Sequence, residues 1–94
     1  MDKFILKIIP VLEKYNVEKA SLFGSFVRGD FDDKSDIDIL IEPARGTTLF
    51  DMAGMQIDLQ NNLKKPVDLV TYGSINPKLK DFILKDEKII YEKR

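Results

Sequence analysis

"LFGSFVRGDFDDKSDIDILIE", Leu22 to Glu42, decides how the rest of the chain is read. An apolar run ends at Gly24-Ser25, a polar loop follows, and Asp36 and Asp38 stand two apart at the head of a second apolar run. The alternation from Asp36 to Glu42 predicts a strand. Ile37, Ile39 and Ile41 take one face, and Asp36, Asp38 and Leu40 the other. Upstream, "KASLFG" (Lys19 to Gly24) predicts a short buried strand stopped by Gly24. Between the two strands, Ser25 to Gly29 has the form of a short helix, with Ser25 near its N-terminus and Gly29 as its stop.

Outward from this stretch, Phe4, Ile5, Ile8, Ile9 and Leu12 recur at helical spacing and predict a helix over about residues 2–15, ended by Asn16. Pro10 inside it predicts a kink or a later start. After the turn residues "PARGTT", the spacing predicts a helix from Leu49 to Lys65, with Leu49, Met52, Ala53, Gln56, Leu59 and Leu63 as its mostly apolar stripe. Pro66 to Tyr72 reads as a third strand, with proline at its tolerated first position. "INPKLKDFILKD" reads as a last helix, capped by Asn76 with Pro77 in its first turn. "KIIYE" fits either a short edge strand or a helical tail. The order α-β-α-β-α-β-α, with one further candidate strand, implies an α/β fold, a compact sheet with helices packed on it, formed as one domain over residues 1–94.

Composition narrows the chemistry. The 94 residues are 44% hydrophobic and 33% charged, with a formal net charge of -1. That balance is globular rather than disordered, and it gives no electrostatic reason to track nucleic acid. There is no cysteine and no histidine. Thiolate nucleophiles, Cys-ligated zinc, Ser-His-Asp triads and imidazole bases are therefore excluded. Catalysis must come from carboxylates, hydroxyls, amines, backbone amides and a hard metal. No segment reaches the length of apolar chain that spans a membrane, and the N-terminal stretch has no small-residue cleavage site. A cytoplasmic location is expected.

Asp68 interrupts the apolar run Val67-Asp68-Leu69-Val70. A carboxylate inside such a strand is costly unless partnered. Placed beside the Asp36–Asp38 strand, it would complete a cluster of three acids, tolerable around a strongly positive centre. Oxygen-only ligation favours Mg²⁺ or Mn²⁺. Taken alone, each acid also fits a solvated or salt-bridged surface residue. At Gly24-Ser25 a strand gives way to a helix start, where outward amides and a hydroxyl suit a phosphate. Arg28, one turn on, fits a phosphate-binding cation or, more simply, a partner for Asp30, Asp32 or Asp36.

Gly24-Ser25, ten residues, then Asp36-x-Asp38 resembles the GSx10DxD signature of the polymerase-beta-like nucleotidyltransferase superfamily. The wider string "GSFVRGDFDDKSDIDILIE" is similar to its smallest members, the minimal nucleotidyltransferases, antitoxin partners of HEPN toxins. The resemblance spans nearly the whole chain. It implies a palm-type mixed sheet, two Mg²⁺ ions and a nucleoside triphosphate, usually ATP. Gly24 and Ser25 would hold the β,γ-phosphates. Asp36 and Asp38 would hold both metals, and Asp68 would complete the catalytic metal site and accept the proton of the attacking hydroxyl. Val27 and Phe31 stand where the family often has small residues.

The resemblance implies a metal-dependent transferase that moves AMP to a hydroxyl, expected to be tyrosine, of a HEPN toxin, in a hetero-oligomer with no direct nucleic-acid or membrane partner. The competing expectation is a non-catalytic or nucleotide-sensing antitoxin that acts by occlusion. A third, an aminoglycoside-type transferase, fits poorly with so short a chain. Phe50, Met52 and Met55 are candidate partner contacts or, more simply, core. Tyr15, Tyr72 and Tyr91 are candidate ligands or targets or, more simply, ordinary packing residues.

Overall fold

A computed structural model describes residues 2–24, 27, 29 and 36–93. Chain order is α1 (Asp2–Lys14), β1 (Lys19–Phe23), β2 (Ile37–Glu42), α2 (Leu49–Leu63), β3 (Val67–Thr71), a 3₁₀ turn (Tyr72–Ser74), α3 (Pro77–Lys85) and β4 (Lys88–Glu92). The strands form one mixed sheet in the order β3-β2-β1-β4. β1 pairs antiparallel with both β2 and β4, and β2 pairs parallel with β3.

One face of the sheet carries the core. Ala20 and Leu22 of β1, Ile37, Ile39 and Ile41 of β2, and Val67 of β3 are buried against Ile8, Val11 and Leu12 of α1 and Met55, Leu59 and Leu63 of α2. The period-2 pattern of β2 thus has the predicted orientation, with its isoleucines inward. α1 runs unbroken through Pro10. It ends where Asn16 adopts a left-handed φ of 56° and the Val17 amide donates back to the Leu12 carbonyl. That reversal leaves the chain aimed into β1.

α2 opens on a capping box. The Thr48 hydroxyl accepts from the Asp51 amide, and the Asp51 carboxylate accepts from the Thr48 amide. Met55, Leu59 and Leu63 are buried and Met52 packs partly buried against them, so the predicted stripe keeps Met52, Leu59 and Leu63 but takes Met55 in place of Gln56, and Ala53 is exposed. Leu49 is exposed, and Gln56 does not pack as an apolar residue: its side-chain amide donates to the Val67 carbonyl. One turn further on, Gln60 accepts from the Val67 amide, so two glutamines hold both backbone groups at the head of β3. β3 begins at Val67 rather than Pro66, whose carbonyl still accepts from the Ile37 amide. Tyr72 leaves the strand for the 3₁₀ turn, and "KIIYE" is the edge strand β4.

α1 and α2 are also joined by polar contacts. Lys14 Nζ and Tyr15 Oη donate to Asp58 Oδ2 at 3.0 and 2.8 Å, and these bonds, Lys14's foremost, hold the Asp58 carboxyl below its usual range. The Tyr15 hydroxyl lies where a Cβ on Gly54 would stand, 2.9 Å from that position. Gly54 therefore makes room for the phenol.

The opposite face of the sheet has its own polar knot. Ser21, fully buried in β1, donates to Glu87 Oε2 at 2.8 Å. Ser21 Oγ and Tyr72 Oη are 2.8 Å apart, and Tyr72 also donates to Glu87 by a very short hydrogen bond. Lys19 Nζ sits over the Tyr72 ring, 5.0 Å from its centre. Burial, and then the bond to Glu87, push the Tyr72 phenol up to about 12. The segment from β3 to β4 is thus pinned at both ends to Ser21.

Two stability predictions follow from these contacts. The Tyr72 phenol is raised above its ordinary value of 10.0, so its stabilisation is complete below pH 10 and lost as pH rises through about 12. In urea unfolding, Tyr72→Phe is expected to be about 1–2 kcal/mol less stable than wild type at pH 9, with the gap narrowing from pH 10 to 12. A gap independent of pH would refute the assignment. Gly54→Ala alone should destabilise by displacing the Tyr15 hydroxyl. In a Tyr15→Phe background it should instead stabilise by up to about 1 kcal/mol, the intrinsic helix preference of alanine over glycine. A double-mutant cycle on unfolding midpoints reads the reversal of sign.

Candidate functional site

The acids stand on the face of the sheet opposite α1 and α2. In β2, Asp38 alternates with the buried isoleucines and so projects away from the core. In β3, Val67 faces the core and Asp68 the other way. The parallel register pairs Asp38 directly with Asp68 and Ile37 with Val67. Register neighbours on adjacent strands, whose backbones run about 4.8 Å apart, point to the same side. The two carboxylates therefore share a row. Asp36 precedes β2 by one residue instead of lying within it, and it is exposed. The ladder begins only at Ile37, whose amide bonds to Pro66. Asp38 is half-buried, whereas Asp68 is exposed on an edge strand. Solvent thus removes most of the burial cost that the sequence assigned to Asp68.

Gly24 closes the row from the β1 side. Phe23 is the register partner of Asp38, and Gly24 follows it with φ of 76°, a conformation that side chains other than glycine rarely adopt. A Cβ at Gly24 would collide with the Asp38 carboxylate. Glycine is required here twice over, by dihedral angle and by the approach of an acid. The Val27 amide donates to the Gly24 carbonyl at 3.2 Å. Ser25 and Arg28 lie outside the described residues.

Gly24, Asp38 and Asp68 are thus brought together, with Asp36 next to Asp38 along the chain. Among the described residues, no three acidic side chains yet close on one point tightly enough to hold a metal. The donor set is still suited to a hard cation, since carboxylate oxygens only accept and share one open side of the sheet. Two grooves among the described residues lie away from the row. One of about 350 Å³ is lined by Pro10, Val11, Lys14, Asp58, Asn61 and Asn62. Another, of about 250 Å³, lies around Tyr15, Arg45, Thr47 and Asp51. Neither includes an acid of the row.

Sequence reasoning missed the knot of Ser21, Tyr72 and Glu87, which lies on the same face one register row below Asp38. The available signal was Ser21, a hydroxyl in the middle of an apolar strand. Met55 is buried and Met52 packs on the core, whereas Phe50 is exposed. Among the described residues, no helix is long and apolar enough to cross a membrane.

Comparison with known proteins agrees with this geometry. The family described as "Polymerase beta, Nucleotidyltransferase" matches residues 6–94. A Methanocaldococcus jannaschii protein named "Putative protein adenylyltransferase" is 48% identical over 80 residues, covering 85% of this chain and 86% of that one. The protein adenylyltransferase MntA of Thermococcus cleftensis is 30% identical over 74 residues, covering 79% of this chain and 75% of its own. A chain in a crystal structure of a toxin–antitoxin with AMP-PNP superposes with a TM-score of 0.81 at 26% identity, over 96% of this chain and 74% of that one. With an acid row beside a glycine turn on a mixed four-stranded sheet, and a family match over nearly its whole length, the chain belongs to the polymerase-beta-like nucleotidyltransferase family.

Proposed function

We propose that the chain is a metal-dependent protein adenylyltransferase that transfers AMP from ATP to a hydroxyl, expected to be tyrosine, of a HEPN-domain toxin, and so acts as its antitoxin. The observation that carries this reading is the pairing of Asp38 with Asp68 on one open face, beside the turn at Gly24. The relatives named as protein adenylyltransferases and the toxin–antitoxin neighbour crystallised with AMP-PNP support the same choice of nucleotide and acceptor.

The carboxylate oxygens present are the donor chemistry that a divalent ion of the Mg²⁺ type takes, and Asp36, Asp38 and Asp68 would hold it. When bound it would supply neutralisation of charge on the reacting phosphate and the leaving pyrophosphate. Gly24 and Ser25 would present backbone amides and a hydroxyl to the β,γ-phosphates, with the Arg28 guanidinium nearby. The acceptor oxygen forms its bond to the α-phosphorus as the bond to the bridging oxygen breaks and pyrophosphate departs. The acceptor proton passes to an Asp68 carboxylate oxygen. In-line transfer demands alignment and charge neutralisation more than proton shuttling, so a site without histidine suffices.

The test is to incubate the full chain with ATP, Mg²⁺ and a HEPN-domain partner and to record intact masses. Additions of AMP size on the partner are expected. Asp38→Asn and Asp68→Asn should each slow them by about a hundredfold or more while leaving the circular dichroism spectrum unchanged. Gly24→Ala should fail similarly, because its Cβ takes the space of the Asp38 carboxylate. Chelation should stop transfer, and added Mg²⁺ should restore it. A tight complex that gains no mass would show occlusion instead of catalysis.

A further inference from the structure

α3 has nine residues and none of them is buried. Leu79 and Phe82, one turn apart, are 53% and 70% exposed, and Ile89 at the start of β4 is 46% exposed. A helix of this length is marginal by itself. It is held by its cap, where Asn76 accepts from the Lys78 amide, and by the pinning of Tyr72 and Glu87 to Ser21 on either side of it. Ser21 faces the same side of the sheet as Asp38, so the crossover that carries α3 is fastened on the acid side. Exposed apolar residues elsewhere, Leu6 on α1 and Leu49, Phe50 and Ile57 on α2, belong to helices packed on the opposite face. Around Leu79 and Phe82 the helix bears Lys78, Lys80 and Lys85 against a single acid, Asp81. An apolar centre with a charged rim in which lysines outnumber acids is the anatomy of a protein-docking surface.

We infer that α3 is the docking surface for the protein acceptor, which presents an apolar patch rimmed by acidic residues and is thereby seated on the same side of the sheet as the Asp38–Asp68 row. This rests on the proposed transfer to a protein. Leu79 and Phe82 supply the buried contact, and the lysines steer encounter.

The probe is the HEPN-domain partner with the full-length chain, measured for binding and for AMP transfer. Leu79→Ser combined with Phe82→Ser is expected to weaken binding by about tenfold or more and to raise KM for the partner, with kcat at saturation retained. Lys80→Glu combined with Lys85→Glu should slow association and flatten its salt dependence. Leu49→Ser combined with Phe50→Ser, on the other face, should leave binding within about twofold. Circular dichroism checks the fold of each variant. Wild-type binding that survives both α3 variants, or that is lost only in the Leu49/Phe50 variant, overturns the docking assignment. Binding that depends on α3 but yields no AMP transfer supports the docking surface and overturns the catalytic reading alone. No binding by the wild type overturns the partner and the docking surface together.

Discussion

The parallel pairing of β2 with β3 is the constraint on which the rest depends. Its register sets Asp38 beside Asp68 and Ile37 beside Val67 in the same stroke. Because side chains alternate with a period of two, slipping β3 by one residue would turn Asp68 into the core and Val67 out to solvent. That error costs both a desolvated carboxylate and a lost apolar contact. The head of β3 is further secured by Gln56 and Gln60, four apart on α2, which take the carbonyl and amide of Val67. A helix from the core side thereby sets the position of the strand immediately before its acid. Gly24 adds a condition from β1, since only a residue without Cβ leaves the Asp38 carboxylate in place.

The two faces of the sheet divide the work. The helical face takes nearly all the burial, with the isoleucines of β2 set among α1 and α2. The acid face is covered in part. Leu40 is fully buried there, where β2 meets the 3₁₀ turn after β3, and Ser21, Tyr72 and Glu87 close over the neighbouring strand. One row further along, toward the N-terminal end of β2, Asp38 and Asp68 lie open. So short a chain has little stability to spare for buried charge. It sets its acids at the rim of a face that it only half covers.

What could be read from residue order was whatever depends on local period and spacing. The alternation through Ile37, Ile39 and Ile41 gave the facing of β2, and Asn76-Pro77 gave the start of α3. Gly24 and Asp38 were legible as a pair by their spacing to one another, though nothing in the order of residues shows that a Cβ would meet a carboxylate there. Less legible was anything decided by packing. Gln56 lies at an apolar-stripe position but serves as a backbone ligand, because β3 begins at a residue whose amide and carbonyl need partners. Leu49 was drawn into the stripe by its spacing, yet α2 starts there and Leu49 and Phe50 stay exposed. Tyr72 was assigned to the strand and to ordinary packing, and the bonds to Ser21 and Glu87 that fix it come from 51 and 15 residues away. Of the two readings of Pro10, a later helix start is excluded, since α1 begins at Asp2 and continues through it.

The Ser21 knot also bears on how the acid face stays open. A crossover from β3 at one edge to β4 at the other must pass over one face of the sheet, and α1 and α2 occupy the core side. It is therefore left with the acid side, where an unanchored segment would be free to settle over Asp38 and Asp68 and bury its own leucines and phenylalanine. Ser21 lies two residues before Phe23, the register partner of Asp38, so fastening Tyr72 and Glu87 to Ser21 holds the crossover one row below the acids. Those hydrogen bonds tie both ends of the α3 segment to the strand beside Asp38. Leu79 and Phe82 of α3 thus stay in solvent on the side of the sheet where the acids stand, whereas Leu6, Leu49, Phe50 and Ile57, also exposed, lie on α1 and α2.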